Sequence, residues 1–288
     1  MDGVASSEQI PGVTDDAFYK YDAEDEPGNP LHSLYRISLA LPILRHRATE
    51  ASESAETAQR LGKPVDIVTL EKIIEDAQAV DTALQDWLTT LPSTFRYCSI
   101  SCLASPPTEP ASTTIWPGLV HIYSNCFIAS FLNNYRIMRI YIQELIAKCL
   151  VHIGSDDTLA SNSRQGQLLY TLRTMVDEIC GTVPYLSGDE IPGMPSFLLS
   201  TSGGNQATSS VLPVGSWLNL RPLYVASQVT CVPQLQKRWI HGRLLAIARE
   251  HGYKIARDIG REASPGLDML VDGQDQRILE LETMNANG

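Results

Sequence analysis

Apolar residues recur at three- and four-residue intervals through most of the chain, the spacing that puts them on one face of an α-helix. The clearest run lies over 69–91, where Leu70, Ile73, Ile74, Ala77, Val80, Leu84, Trp87, Leu88 and Leu91 share a face and Thr69 is the expected N-cap. Pro92 ends it. Upstream, Leu34, Ile37, Leu41 and Leu44 predict a helix over 31–53, kinked at Pro42. Downstream, Pro117 fits the first turn of a long helix reaching 153, roughly 55 Å if unbroken at 1.5 Å per residue. That helix is apolar nearly all round, from Leu119 and Val120 through Phe131, Ile137, Ile140 and Leu150, so it belongs at the centre of a bundle. An amphipathic helix over 165–183 follows and stops at Pro184; others are expected over 216–229, 233–251, 254–261 and 276–284.

The breaks are equally legible. The stretch from Cys98 to Thr114 carries Pro106, Pro107 and Pro110 and reads as a surface loop; 187–215, rich in Gly and Ser, reads as a long loop. No stretch alternates strictly enough to predict a sheet, and no repeat is present. The expected fold class is all-α: an acidic, flexible N-terminal segment over 1–30, then a single multi-helix domain over 31–288 around a long buried central helix.

Composition narrows the partners. The 288 residues hold 22 Lys plus Arg against 33 Asp plus Glu, a formal charge of −11 that opposes a phosphate backbone. The densest basic patches, Arg45–His46–Arg47 and Lys237–Arg238, are too small for a nucleic-acid footprint, so no direct nucleic-acid contact is expected. A membrane span through the central helix would bury Asn133, Asn134, Arg136 and Arg139 in lipid, and no membrane association is expected. The start of the chain has no secretory pattern, which predicts an intracellular protein. The six cysteines lie in apolar segments and read as small buried hydrophobes. Between 15 and 26, six carboxylates surround Phe18, Tyr19 and Tyr21, a mixture that resembles transactivation segments but also suits a solvated lead-in.

Catalytic signatures are missing: no P-loop, no dinucleotide-binding glycine turn, no Gly-x-Ser-x-Gly elbow, and no pair of histidines at metal-binding spacing. The adjacent pairs Asp15–Asp16 and Asp156–Asp157 fall in loop-like segments, not on the walls of a magnesium-binding helical cavity. No metal, no cofactor and no catalytic residue are predicted. Arg136, Arg139 and Gln143 line up on the otherwise apolar central helix. With Tyr135, the two arginines are the candidate anchors for an anionic small-molecule effector; the competing reading has them meeting solvent or pairing with acids elsewhere in the core.

An ordered set of segments carries a resemblance. It comprises Asp86–Trp87–Leu88 with Leu91–Pro92–Ser93–Thr94–Phe95–Arg96–Tyr97, His121–Ile122–Tyr123, and Asn133–Asn134–Tyr135–Arg136–Ile137–Met138–Arg139–Ile140. Ile179–Cys180–Gly181–Thr182–Val183–Pro184–Tyr185, Leu223–Tyr224–Val225–Ala226 and Arg238–Trp239–Ile240 complete it. In order and spacing these resemble the C-terminal, fungal-specific regulatory domain of fungal zinc-binuclear-cluster transcription factors. Arg221 before Pro222 departs from the aromatic that relatives tend to carry, and the cysteines are too far apart to build the family's zinc cluster. The resemblance implies a non-enzymatic regulator of transcription in the nucleus, of a family that often controls metabolic gene clusters, working through a full-length factor, a second copy of itself or a small-molecule effector. The alternative is a helical small-molecule-binding protein or enzyme of a fungal biosynthetic pathway, anchored by the same Tyr135, Arg136 and Arg139.

Overall fold

The computed structural model describes residues 29–102, 113–153, 159–193 and 208–252. The acidic segment over 15–26, the aspartate pairs and the helices expected over 254–261 and 276–284 lie outside them.

The helix expected over 31–53 is two helices, α1 (Pro30–Ser38) and α2 (Ala40–Arg60). Pro42 has no N–H to offer Ser38 and its ring crowds that carbonyl, so the ladder breaks one turn earlier, at Leu39. Asn29 caps α1 by accepting from the Leu31 amide at 3.0 Å, and the Trp87 indole donates to the Pro30 carbonyl at 2.7 Å. Helix α3 (Ile67–Thr90) follows. Its cap is Asp66 rather than Thr69: the Asp66 carboxylate takes the Thr69 amide at 3.1 Å and the Thr69 hydroxyl at 2.7 Å. Leu91 is extended ahead of Pro92, where the expected stop falls.

The expectation of no sheet is corrected by a two-stranded antiparallel hairpin, β1 (Cys98–Cys102) and β2 (Gly118–Ile122), with Ser99 opposite His121 and Ile100 opposite Val120. Its second strand takes what reads in the sequence as the start of the central helix. Five apolar-rich residues do not separate helix from strand by period, and pairing with β1 decides. Val120 and Ile122 bury with Ile191 in a small satellite core. The central helix α4 therefore begins later and runs Cys126–Ile153, roughly 42 Å at 1.5 Å per residue. Asn125 caps it by accepting from the Ile128 amide at 3.0 Å.

Helix α4 occupies the centre, as its all-round apolarity predicts, packed by α2, α3, α5 (Leu159–Ser187) and α6 (Thr208–Gln228). Helix α7 (Gln234–His251) packs on α6, and its Trp239 donates to the Thr113 carbonyl at 2.9 Å. Two ends differ from expectation. Pro184 lies inside α5, in the last turn, where the missing N–H forfeits one hydrogen bond only. Helix α6 starts at Thr208, inside the stretch expected to be a loop over 187–215. Among the described residues the regular elements are helical except for the hairpin. Among the cysteines, Cys149 and Cys180 are buried as expected, but Cys98 on β1 is exposed.

Two glycines set the close approaches. A Cβ on Gly181 of α5 would run into the Leu119 carbonyl and lie 2.9 Å from the His121 ring; one on Gly215 of α6 would run into the Leu186 carbonyl. Gly166, on the exposed start of α5, has nothing within 4 Å. Gly181→Ala is expected to lower stability by about 1–3 kcal/mol through overpacking, whereas Gly166→Ala raises it by about 0.5–1 kcal/mol through helix propensity. Urea unfolding followed by circular dichroism checks both; equal effects at the two positions would contradict the tight seat of β2 on α5.

Candidate functional site

The polar stripe on α4 turns inward. Arg136 is 2% exposed, a cation fully inside the helix bundle. Its Nη1 donates to Asn133 Oδ1 at 2.8 Å, Tyr123 OH at 3.0 Å and Thr182 Oγ1 at 2.8 Å, and its Nη2 donates to Glu178 Oε2 at 2.8 Å. The Tyr97 ring lies 5.5 Å from the guanidinium carbon. Tyr97 comes from the approach to β1, Tyr123 from the end of β2, and Glu178 and Thr182 from α5, one helical turn apart. The hairpin, the central helix and α5 thus meet at one buried charge.

Glu178 collects three donors on the same oxygen: Arg136, the Tyr97 hydroxyl at 2.8 Å and His121 Nε2 at 3.2 Å. Burial alone would raise this carboxyl, but the His121 hydrogen bond, the Arg136 charge and the Tyr97 hydroxyl outweigh it and hold the group at about 2. The other ring nitrogen of His121 lies 2.9 Å from Ser99 Oγ, across the hairpin register. The tautomer protonated at Nε2 satisfies both contacts. Serine, histidine and carboxylate thus stand in hydrogen-bond sequence, the order of an acyl-transfer triad. In such a triad the carboxylate is there to stabilise the imidazolium; here its Oε2 already carries a guanidinium and a phenol.

Arg139 points the other way, to α3. Its Nε and Nη2 make a fork on Asp81, at 2.8 Å to Oδ1 and 2.9 Å to Oδ2, and Nη1 reaches Tyr135 OH at 3.3 Å. Tyr135 stacks on Trp87 with ring centroids 5.7 Å apart. The three residues predicted as ligand anchors therefore divide between two internal networks, Arg136 with α5 and the hairpin, Tyr135 and Arg139 with α3. Of the two readings of that stripe, the geometry has the arginines pairing with acids in the core. Sequence reasoning missed Asp81, Glu178, His121 and Tyr97 as partners. Asp81 had a signal: it falls between Ala77 and Leu84 on the buried stripe of α3, where a carboxylate calls for a cation. Among the described residues no group of His, Cys, Asp and Glu is arranged to hold a metal ion, and no helix is long and apolar enough to cross a membrane.

A groove of about 980 Å³ opens on the other side of α4, walled by α1 and α2 and bordered by α6. Phe131, Met138, Tyr141 and Leu145 of α4 form its floor, and Leu34, Tyr35 and Leu41 face them. Arg45, Lys148 and Arg221 stand on three different helices around it. The guanidinium of Arg45 lies 5.9 Å from the Tyr141 ring centre. Glu144, half-buried in the groove, is pushed up by burial, against the opposing pull of Arg45.

Comparison with known proteins gives this helical chain one bearing. Over 179 residues, 62% of this chain and 40% of the relative, it is 23% identical to the transcription factor dbaG of Emericella nidulans. The chain is related to a fungal transcription factor. It spans less than half of that relative's length. No known family profile matches the chain, and no solved structure matches it.

The Glu178 carboxyl has a folded value of about 2 against an ordinary 4.5, so folding favours its charged form. That contribution, roughly 3 kcal/mol at 1.36 kcal/mol per unit, is fully present above pH 4.5 and is lost as pH falls towards 2. Glu178→Gln is expected to be less stable at pH 7 and to show a shallower loss between pH 4.5 and 2 than the native chain. Denaturant midpoints across that range check it; parallel pH profiles for the two proteins would contradict the pairing.

Proposed function

We propose that the chain is a non-enzymatic regulator of transcription that acts in the nucleus through a protein partner, a full-length factor or a second copy of itself, instead of reading DNA. The observation that carries this is the similarity to a fungal transcription factor. It is joined by a net charge of −11, which makes a phosphate backbone an unfavourable partner. DNA specificity then comes from the partner, and the regulated genes belong to a metabolic cluster. The zinc-cluster kinship remains part of this proposal and rests on the ordered segments from Asp86 to Ile240.

In this reading Tyr135, Arg136 and Arg139 act on the fold. Their hydrogen-bonding groups are engaged by Asp81, Glu178, Tyr123 and Thr182, and a small-molecule effector takes a site elsewhere on the helices. Ser99 likewise holds the hairpin to His121.

Fused to a heterologous DNA-binding module in a fungal host, the chain is expected to change transcription from a reporter carrying that module's site, up or down. Unfused, it is expected not to retain random duplex DNA at low salt. Reporter output equal to that of the module alone, at matched protein level, would overturn the reading, and salt-sensitive retention of duplex DNA would overturn its partner-dependent part.

A further inference from the structure

We propose that the groove on α4 is a docking site for the chain's own acidic, aromatic segment Asp15–Glu26, which occupies it in cis. The groove floor runs along α4, where Phe131, Asn134, Met138, Tyr141, Leu145 and Lys148 follow one another at helical spacing. That face is roughly 26 Å long at 1.5 Å per residue. An apolar stripe of this length between two helical walls suits an amphipathic segment laid along it.

Charge selects the occupant. Arg45, Lys148 and Arg221 have no carboxylate within ion-pair distance among the described residues, whereas Arg47, Lys72, Arg136, Arg139 and Arg243 each have one. Three cations thus border one groove whose lining holds a single carboxylate, the half-buried Glu144. Residues 15–26 offer the complement: Asp15, Asp16, Asp22, Glu24, Asp25 and Glu26 against the lone Lys20, with Phe18, Tyr19 and Tyr21 for the apolar floor. Aromatic side chains supply large contact area at small entropic cost, and surrounding carboxylates meet the cationic border.

Attachment geometry supports the same occupant. Leu31, Leu34 and Tyr35 of α1 line the groove, and the start of α1 is pinned there by the Asn29 cap and the Trp87–Pro30 hydrogen bond. The segment therefore leaves the described fold at the groove's edge. From Phe18 to Leu31 the chain can span up to roughly 45 Å at 3.3–3.6 Å per residue, more than the length of the floor. A tether this short raises the local concentration of the segment into the millimolar range, enough for a weak contact to be populated. This claim concerns the fold alone and stands or falls independently of the transcriptional reading.

The test is a photocrosslink in the full chain, with p-benzoylphenylalanine placed at Phe18. Ultraviolet light is expected to join it to groove residues, with Tyr35, Phe131, Met138 and Tyr141 as the mapped partners and an unshifted monomer mass. Yield should fall by about tenfold or more when Arg45, Lys148 and Arg221 are all changed to Glu. These three side chains are exposed, and an unchanged circular dichroism melting curve checks that the variant folds. A conservative variant with all three as Lys should retain crosslinking. Crosslinks that map outside the groove, that survive charge reversal, or that join two chains in a mixture of isotopically light and heavy protein would each overturn the proposal.

Discussion

A guanidinium enclosed by an apolar helix bundle must be neutralised where it lies, because moving a lone charge out of water costs several kcal/mol even after the protein relaxes. Arg136 imposes that demand from the middle of the central helix, and the answer comes from parts of the chain distant in sequence. Glu178 supplies the charge, Thr182 and Tyr123 the acceptors, and Tyr97 a ring face. Satisfying one cation therefore fixes how α5 and the hairpin sit on α4. The glycine at 181 belongs to the same constraint: without its bare α-carbon, Leu119 and His121 could not approach α5 closely enough for His121 to reach Glu178.

The second ion pair works in parallel. Arg139 and Asp81 join α4 to α3 through a two-pronged contact, and Tyr135 on Trp87 continues the junction into the apolar core. Since Arg136 and Arg139 stand three residues apart, α4 is clamped from two directions along one turn. On the α1–α2–α6 side the groove remains, and there Arg45, Lys148 and Arg221 have no carboxylate within ion-pair distance among the described residues. The contrast separates cations that organise the fold from cations available to something else.

Much of this was legible in the residues. Period and all-round apolarity gave the helices and put α4 at the centre, and Pro92 marked a real stop. The hairpin was not legible, because Gly118–Ile122 is short and apolar and its strand character comes from Cys98–Cys102, a pairing that no local pattern encodes. Pro184 misled for a related reason: proline is a barrier inside a helix but tolerable in its last turn, and where that turn falls depends on packing. At the site, the sequence singled out Arg136 and Arg139 as cations out of place on an apolar helix. It could not name Glu178 and Asp81 as their partners, since those contacts span 42 and 58 residues.

The central claim is that the Arg136–Glu178 pair, more than either side chain alone, sets the arrangement of α4, α5 and the hairpin. A double-mutant cycle in urea unfolding tests it directly, with Arg136→Met, Glu178→Met and the two combined. Each single change leaves the other charge without its partner and is expected to cost about 3–5 kcal/mol, while the double change recovers at least about 2 kcal/mol of the summed loss. Costs that add to within about 0.5 kcal/mol would mean that the two residues act independently, and would contradict the account.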